Sequence, residues 1–334
     1  MAKLGVGIIG AGSFGELHIE TYKSLADVEV VAASDVNPSR LQEIARKYSI
    51  PHTYRDAAEL CARNDIELVT IATPEALHLQ PVLAAAGARK HILLEKPIAT
   101  TLADAARIIE AAAKAQVHLM VGHILRFENH YATVKREIQD GNLGRILSLH
   151  ARRNRPKKLY STYSRTHGIL ENSIHDIDVC LWYTGDRVTN ARAFTRNIQG
   201  GATPDINWSF LEFEGGTVAC IENHWLIPDR AGIMTDDAMQ IIGSKAVADI
   251  HLLPSSLNVW REEGAESANV TYDAHFAGRV SGAIKEEIGY FVECVRKDES
   301  PSVLTPQDAF EALRVALALI RSSEEQRDVA LDFN

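Results

Sequence analysis

The 334-residue chain is longer than a single hydrophobic core usually serves, so its length predicts two domains of ordinary size. Its content of 46% hydrophobic and 24% charged residues is typical of a soluble globular protein. A formal net charge of −9 argues against a general nucleic-acid-binding protein, because such proteins need a basic surface to displace counterions from phosphates.

The cysteines and the N-terminus bear on where the protein works. Cys61, Cys180, Cys220 and Cys294 form no Cys-x-x-Cys pair, which favours reduced thiols buried as small apolar residues. No run approaches the roughly 18 consecutive apolar residues that span a bilayer. The N-terminus runs directly into a strand and is interpreted as structure rather than as a signal peptide. These features predict a cytoplasmic protein with no nucleic-acid partner and no membrane partner.

The first elements predict a dinucleotide-binding turn. An apolar run over 4–9 leads into a G-x-G-x-x-G turn over 10–15, and helical spacing follows over 16–24. Glycines in this context let the backbone approach a pyrophosphate, whose charge is stabilised by the exposed amides at the helix N-terminus. The predicted cofactor contacts in this turn are Gly10, Gly12, Ser13, Phe14 and Gly15.

The second predicted strand, over 28–34, ends at an acidic residue that fits the same interpretation. Asp35 follows Gly15 by 20 residues, where an acid that binds the adenosine ribose is expected. A carboxylate there accepts a hydrogen bond from a 2′-hydroxyl and repels a 2′-phosphate, so NAD is favoured over NADP. Arg40 keeps NADP open, although it also fits an ordinary helix start after Pro38. The alternative for Asp35 is a turn residue at the end of a strand.

Strands and helices continue to alternate up to residue 122, which predicts a parallel, doubly wound sheet in a domain over 1–122. In such sheets ligands bind beyond the carboxyl ends of the strands. Thr73 and Pro74 lie at one such end, and Glu95 and Lys96 lie at the next, in the run Ile92-Leu93-Leu94-Glu95-Lys96-Pro97. These four residues and His78 are predicted cofactor contacts, with a half-exposed helix histidine as the alternative for His78.

A second titratable pair follows in a predicted helix over 170–183. Glu171 and His175 are spaced i and i+4, so they share one helix face, and an active site between two domains would bring them to Lys96. Upstream, Arg152-Arg153-Asn154-Arg155-Pro156-Lys157-Lys158 contains five cations in seven residues. One interpretation is a solvated edge strand guarded by cations. The other is that one or two of these cations bind a carboxylate or phosphate of the substrate.

The pattern of the second half changes to consecutive strands joined by short turns, which predicts antiparallel pairing in an α+β domain over 123–334. A large sheet with few helices should leave one face free, and association of subunits through that face predicts a homodimer or homotetramer. The predicted strands cover 188–198, 206–213, 217–225, 238–242, 246–251, 257–261 and 270–273, and helices over 280–297 and 305–322 close the chain.

The chain resembles the Gfo/Idh/MocA family of sugar and polyol oxidoreductases. Four features carry the resemblance: the glycine turn, Asp35, the Glu-Lys-Pro element and the segment over 171–178. The resemblance implies a Rossmann domain, a C-terminal domain with a large, mostly antiparallel sheet, and oxidation of a secondary hydroxyl with NAD(P). By that resemblance Lys96 matches the catalytic lysine and His175 the general acid/base. Glu171 stands where the family usually has an aspartate, which leaves the substrate contacts of an inositol-type site open.

Residue chemistry gives the same roles. Removing hydride from a secondary alcohol requires a base for the hydroxyl proton, which is His175, and a cation for the developing alkoxide, which is Lys96. The predicted catalytic residues are therefore Lys96, His175 and Glu171, and the predicted substrate contacts are Lys96, Arg126, Arg153, Tyr160, Glu171, Asn172 and His175. Inositols, aldoses, glycosides, sugar acids and nucleotide sugars all fit, and the basic run favours an anionic substrate.

Three alternatives stay open at this point. The histidines between 123 and 175 suggest a metal site, but their spacings match no zinc pattern, so no metal is predicted. A cofactor-binding sensor without turnover is disfavoured by the presence of both Lys96 and His175. A redox-cycling glycosidase would use transient oxidation to eliminate a glycosidic leaving group, without net reduction of the cofactor.

Overall fold

The computed structural model describes residues 3–252, 258–262, 264–267 and 271–331. The chain divides into two compact units. The first contains Met1–Phe127 and Tyr272–Phe310, and the second contains Glu128–Thr271 and Glu311–Asn334. The domain boundary at residue 122 remains a prediction. Within the described ranges, no helix is long and apolar enough to cross a membrane.

The first unit is built on a six-stranded sheet in the order β3-β2-β1-β4-β5-β6, and every neighbouring pair is parallel. This order is that of a dinucleotide-binding sheet and confirms the predicted α/β class. The strands are β1 (Leu4–Ile9), β2 (Val28–Ser34), β3 (His52–Tyr54), β4 (Leu68–Ile71), β5 (His91–Glu95) and β6 (Leu119–Gly122). The helices between them are α1 (Ser13–Ser24), α2 (Pro38–Tyr48), α3 (Ala57–Cys61), α4 (Leu79–Gly87) and α5 (Leu102–Ala115).

The two central strands of this sheet, β1 and β4, are almost entirely apolar because both of their faces are covered. Every residue of β1 and β4 is buried, which explains why their sequences are continuous apolar runs rather than alternating ones. The core is completed by a helix from far along the chain, α9 (Ala283–Lys297). Its residues Ile284, Ile288 and Phe291 join the same buried cluster as residues of β1 and α1.

The second unit is built on a seven-stranded sheet in the order β12-β11-β7-β10-β9-β8-β17. All neighbours are antiparallel except β7 and β10, which are parallel, so the predicted large and mostly antiparallel sheet is confirmed. Its strands are β7 (Ile146–Asn154), β8 (Val188–Arg196), β9 (Ile206–Phe213), β10 (Val218–His224), β11 (Asp236–Gly243), β12 (Val247–His251) and β17 (Val329–Ala330).

Two short hairpins and four helices account for most of the remaining regular structure. The hairpins pair β13 (Asn258–Arg261) with β14 (Gly264–Ser267) and β15 (His275–Phe276) with β16 (Arg279–Val280). The helices are α6 (Asn129–Gln139), α7 (Lys157–Tyr163), α8 (Ile174–Thr184) and α10 (Pro306–Glu325). Leu257 and Val270, with which two of the predicted strands begin, lie outside the described residues.

The seven-stranded sheet has one covered face and one open face. Helix α8 packs against β7 and β10, and along these strands the buried residues alternate with more exposed ones. The open face carries large apolar side chains, and cross-strand pairs such as Phe194 with Trp208 place them side by side. The exposed apolar residues of this sheet are Phe194, Trp208, Phe210, Val218, Ile242 and Val247.

Candidate active site

The glycine turn has the geometry that a dinucleotide needs. Gly10 has φ +93°, and a Cβ there would lie 2.7 Å from the carbonyl of Ala72 at the end of β4. A Cβ on Gly15 would lie 1.9 Å from the carbonyl oxygen of Gly10, so α1 can approach the turn only because Gly15 lacks a side chain. Gly12 differs from both, because a Cβ there would meet nothing within 4 Å.

The open space at Gly12 lies where α1 begins. Gly12 is the N-cap of α1 and provides no side-chain hydrogen bond to the first helical amides, and Ser13 and Phe14 are exposed beside it. Asp35 contacts the turn directly, since its Oδ2 accepts a hydrogen bond of 2.7 Å from the backbone N–H of Ala11. An uncapped helix N-terminus, a cradle that a Cβ would fill and an acid at the end of β2 fit NAD.

The contrast between Gly12 and Gly15 gives a testable prediction. Gly12→Ala is expected to weaken NAD binding by about tenfold or more, because the methyl group enters the space that the pyrophosphate needs, while the melting temperature changes little. Gly15→Ala is expected to lower the melting temperature by several degrees, because the methyl group overlaps the Gly10 carbonyl. Calorimetric titration with NAD and thermal melts of both variants would check this; equal effects of the two variants on melting would contradict it.

At the end of β5, Glu95 is held by a histidine of α1. The Nε2 of His18 donates to Glu95 Oε1 at 2.8 Å, and the backbone N–H of Lys96 lies 3.3 Å from Glu95 Oε2. Burial opposes ionisation, but the hydrogen bond from His18 and the charge of Lys96 hold the pKa of Glu95 below its ordinary value. The structure places Glu95 as the partner of His18 beside Lys96, and its contact with the cofactor stays a prediction.

A second buried acid, Glu287 of α9, lies near this pair. Its side chain is 1% exposed, and neither carboxylate oxygen has a hydrogen-bond partner among the described residues. Burial and the negative charge of Glu95 raise the pKa of Glu287 well above its ordinary value, so Glu287 keeps its proton. Sequence reasoning missed both His18 and Glu287. His18 could have been found, because it lies on the apolar helix face formed by Gly15, Ile19 and Tyr22.

His78 connects the loops that follow β4 and β5. His78 is 1% exposed. Its Nδ1 lies 3.0 Å from the carbonyl oxygen of Pro97, and its Nε2 lies 3.0 Å from the carbonyl oxygen of Thr73. Burial lowers the pKa of His78, so the ring is neutral and donates to one of these oxygens. This position suits a residue that fixes the Glu-Lys-Pro loop, and the predicted contact of His78 with the cofactor stays a prediction. Pro74 is exposed, and the Thr73 hydroxyl is buried without a partner among the described residues.

In the second unit the predicted catalytic helix begins as a wider turn. Ile169–Ser173 is π-helical and α8 follows it, whereas the sequence predicted one continuous α-helix over 170–183. Glu171 therefore lies in the π-turn and His175 in the first turn of α8, with Glu171 buried and His175 half-buried. Single π-turns inside helices are frequent at functional sites.

Asn172 is fixed to the sheet rather than exposed. Its Nδ2 donates to the backbone carbonyl of Arg153 at 3.1 Å, and Asn223 Nδ2 donates to the same oxygen at 2.6 Å. The pair holds the π-turn against β7 and β10. Asn172 thus has a positioning role in this structure, which it shares with Asn223.

Arg153 is the centre of a buried ion-pair network. Its side chain is 2% exposed, its guanidinium pairs with both carboxylate oxygens of Asp176 at 2.7 and 3.0 Å, and its Nη1 pairs with Asp237 at 2.8 Å. Arg155 also pairs with Asp237. The edge-strand interpretation of the basic run was wrong, because β7 lies between β11 and β10 inside the sheet. The burial of Arg153 also speaks against the predicted substrate contact.

Two further predicted substrate contacts are buried within their own units. Arg126 is 4% exposed, and its Nη1 donates to the carbonyl of Val303 at 2.8 Å and lies 3.5 Å from Asp308. Tyr160 is buried in α7, where its hydroxyl donates to the carbonyl of Thr203. The structure therefore gives both residues packing roles. Helix α7 has only seven residues.

The histidines between 123 and 175 were the candidates for a metal site. In the part of the chain that the structure describes, no group of three or more His, Cys, Asp or Glu residues could hold a metal ion. Burial lowers the pKa of His167 to about 4, so its ring is neutral near pH 7. His167 Nδ1 accepts a hydrogen bond of 3.2 Å from the backbone N–H of Ile169 at the start of the π-turn.

Family models match most of the chain. Residues 4–123 match a model described as an oxidoreductase family with an NAD-binding Rossmann fold, and residues 131–249 match the GFO/IDH/MocA C-terminal domain. The glycine turn, Asp35 and the parallel sheet define the same class of protein, an NAD-dependent oxidoreductase. The chain belongs to the Gfo/Idh/MocA family.

Individual relatives are similar over nearly their whole length. The chain is 30% identical to myo-inositol 2-dehydrogenase of Thermotoga maritima, covering 98% of both chains. It is 29% identical to inositol 2-dehydrogenase of Rhizobium meliloti, covering 97% of this chain and 98% of that one. Scyllo-inositol dehydrogenase of Lactobacillus casei, solved with NAD(H) and scyllo-inositol, has the same fold, with a TM-score of 0.86, 23% identity and coverage of 98% and 99%.

Proposed function

We propose that this protein is an NAD-dependent dehydrogenase that oxidises a secondary hydroxyl of a neutral polyol, with inositols as the first candidates. The observation that carries the proposal is the position of Lys96. It follows β5, and β5 neighbours β4, whose end contacts Gly10 of the glycine turn. A cation is thus available at the sheet edge where the cofactor is expected. The names of the relatives, inositol 2-dehydrogenases among them, support the substrate class.

In the proposed mechanism one side chain takes up a proton and another stabilises a developing negative charge. His175 accepts the proton of the substrate hydroxyl, and Lys96 stabilises the oxygen as negative charge develops on it. NAD, when bound, supplies the acceptor for the hydride. The carboxylate of Glu95 lies beside Lys96, with its Oε2 3.3 Å from the Lys96 backbone nitrogen. Glu171, one turn before His175, binds a substrate hydroxyl or orients the imidazole.

This assignment fixes the direction of the pH dependence. A general base must be unprotonated, so oxidation is expected to rise with pH as His175 loses its proton. His167 does not produce this rising limb of the pH–rate profile near neutrality, because burial lowers its pKa to about 4. The limb should therefore disappear in a His175 variant and persist in a His167 variant.

The charges of the basic run favour a neutral substrate. Arg152, Arg153 and Arg155 each pair with an aspartate of the same unit, namely Asp236, Asp176 or Asp237. These three cations are already neutralised within the unit, so the sequence argument for an anionic substrate loses its main support. A neutral polyol needs hydroxyl-binding carboxylates and amides, which Glu171 and its neighbours can supply.

The test is NADH formation at 340 nm with NAD across myo-, scyllo- and chiro-inositol, free aldoses, sugar acids, glycosides and nucleotide sugars. We expect turnover with at least one inositol and weaker turnover with sugar acids. Turnover only with anionic sugars would overturn the neutral-polyol proposal while leaving the dehydrogenase intact. Release of sugar from glycosides without net NADH would favour a redox-cycling glycosidase, and NAD binding with no turnover across the panel would favour a sensor.

We also propose that copies of the chain associate through the open face of the seven-stranded sheet. The apolar side chains there form a contiguous set across paired strands, and monomeric proteins rarely expose such patches. Sedimentation equilibrium is expected to show a dimer or tetramer that Trp208→Glu with Phe210→Glu dissociates. Phe276→Glu, at a residue that is 79% exposed outside this sheet, is the control and should leave the mass unchanged. A monomeric wild-type protein at micromolar concentration would contradict the proposal.

A further inference from the structure

Glu16 of α1 accepts hydrogen bonds from three side chains of α2. Its Oε2 pairs with the guanidinium of Arg40, and its Oε1 accepts from Lys47 Nζ at 2.8 Å and from the Tyr48 hydroxyl at 3.0 Å. We call Glu16, Arg40, Lys47 and Tyr48 the Glu16 cluster. Burial opposes ionisation of Glu16, but these hydrogen bonds and the charge of Arg40 lower its pKa to about 2. Glu16 is therefore ionised throughout the physiological range.

Within the Glu16 cluster, the guanidinium of Arg40 has three partners. Its Nε donates to the carbonyl oxygen of Ala11 at 2.8 Å, its Nη2 pairs with Glu16, and its Nη1 lies 3.0 Å from Glu43. A guanidinium binds a phosphate best with two parallel N–H groups. In this arrangement both terminal nitrogens are already paired with carboxylates.

The Glu16 cluster contacts the same backbone residue as the ribose-binding acid. The N–H of Ala11 donates to Asp35, and the carbonyl of Ala11 accepts from Arg40. Arg40 is thus next to the position where a 2′-phosphate would lie, which is where an arginine accommodates this group in NADP-binding Rossmann domains. Here the nearby cations Arg40 and Lys47 are offset by Glu16, and Asp35 adds a further negative charge.

We propose that Glu16 is a specificity-determining residue for the cofactor: it neutralises Arg40 and Lys47 and so prevents them from binding a 2′-phosphate. Discrimination against NADP then has two components. Asp35 repels the phosphate, and Glu16 removes the cations that would attract it. This inference rests on NAD as the cofactor and is independent of the proposed substrate.

The two components predict a non-additive mutant cycle. Asp35→Asn keeps an acceptor for Ala11 and removes one charge, so it should improve NADP binding only modestly. Glu16→Gln should have a small effect while Asp35 remains. The double variant should bind NADP about tenfold more tightly than Asp35→Asn alone, because Arg40 and Lys47 then face the phosphate without a competing carboxylate. Glu16→Gln alone should change NAD affinity by less than about threefold, whereas both variants that carry Asp35→Asn should bind NAD more weakly, because the ribose loses its carboxylate partner.

The experiment is calorimetric titration of wild type and variants with NAD and with NADP, which needs no substrate. Arg40→Met in the double variant should abolish the gain, and added salt should weaken NADP binding more in the double variant than in wild type. The control is Glu43→Gln with Asp35→Asn, because Glu43 contacts Arg40 at a more exposed position, 61% exposed compared with 21% for Glu16.

Three outcomes would overturn the proposal: no gain of the double variant over Asp35→Asn, an equal gain from Glu43→Gln, or a gain that survives Arg40→Met. Thermal melts show whether Glu16→Gln is folded. If that variant unfolds, Glu16→Asp takes its place in the same cycle, since it withdraws the carboxylate by one methylene. A smaller gain in the same direction is then expected, and its absence also overturns the proposal.

Discussion

Lys96→Ala is expected to lower kcat/KM for oxidation by about 10³-fold, because the developing alkoxide loses its only proposed cation. NAD affinity should stay within about threefold of wild type, because the proposed pyrophosphate and ribose contacts lie in the glycine turn and at Asp35. His175→Ala is expected to cost a similar factor, on the order of 10²–10⁴, through loss of the base. Steady-state assays on the best substrate of the panel, with calorimetry for NAD, measure both quantities.

The control for this experiment is Lys114→Ala, which removes an exposed lysine from α5 in the same unit and should leave kcat/KM unchanged. A second comparison uses pH. In Lys96→Ala the residual rate should keep the limb that depends on the base, whereas in His175→Ala that limb should be lost. Wild-type rates in either variant, or loss of NAD binding in step with loss of rate, would remove the assigned role.

The first unit could be predicted in detail because its signals are local. Strand β1 and strand β2 have the predicted bounds, and the glycine turn and Asp35 are separated by a fixed spacing that the fold itself imposes. The position of Lys96 after a buried strand was predictable for the same reason. Continuous apolar runs and turn glycines depend only on the structure of the few residues around them.

Contacts between distant segments could not be predicted. Helix α9 was assigned by its position in the sequence to the second domain, and it packs instead in the core of the first compact unit. Nothing in its amphipathic pattern identifies which sheet it covers. The buried acids Glu95 and Glu287 belong to segments separated by most of the chain, so neither sequence context suggested a pair.

The basic run is the clearest case in which composition was misleading. Five cations in seven residues predicted an exposed surface or an anion site, because cations without visible partners are assumed to face solvent. The partners exist but are distant in sequence. The register of β7 against β11 places Arg153 opposite Asp237, and α8 brings Asp176 to the same guanidinium. No local sequence pattern indicates that an arginine of this strand is buried between two carboxylates.

Arg153→Met is therefore expected to lower the free energy of unfolding by about 3–5 kcal/mol, since Asp176 would remain as a buried charge without its bidentate partner. Arg152→Met is the matched control on the same strand. Its side chain is 36% exposed and pairs with Asp236 at the more solvated face, so the expected cost is below about 1 kcal/mol. Denaturant unfolding of the two variants, fitted with a common slope, gives the comparison.

The loss of unfolding free energy in Arg153→Met should come more from the unpaired Asp176 carboxylate than from the missing arginine side chain. Adding Asp176→Leu to Arg153→Met replaces the ion pair with apolar groups and is expected to recover at least about half of the loss, because no uncompensated charge then remains on α8. If the double variant is instead as unstable as the sum of the two single variants, the network stabilises the unit through packing of Arg153 and not through charge. Recovery would identify Asp176 of α8 as the buried charge that Arg153 compensates.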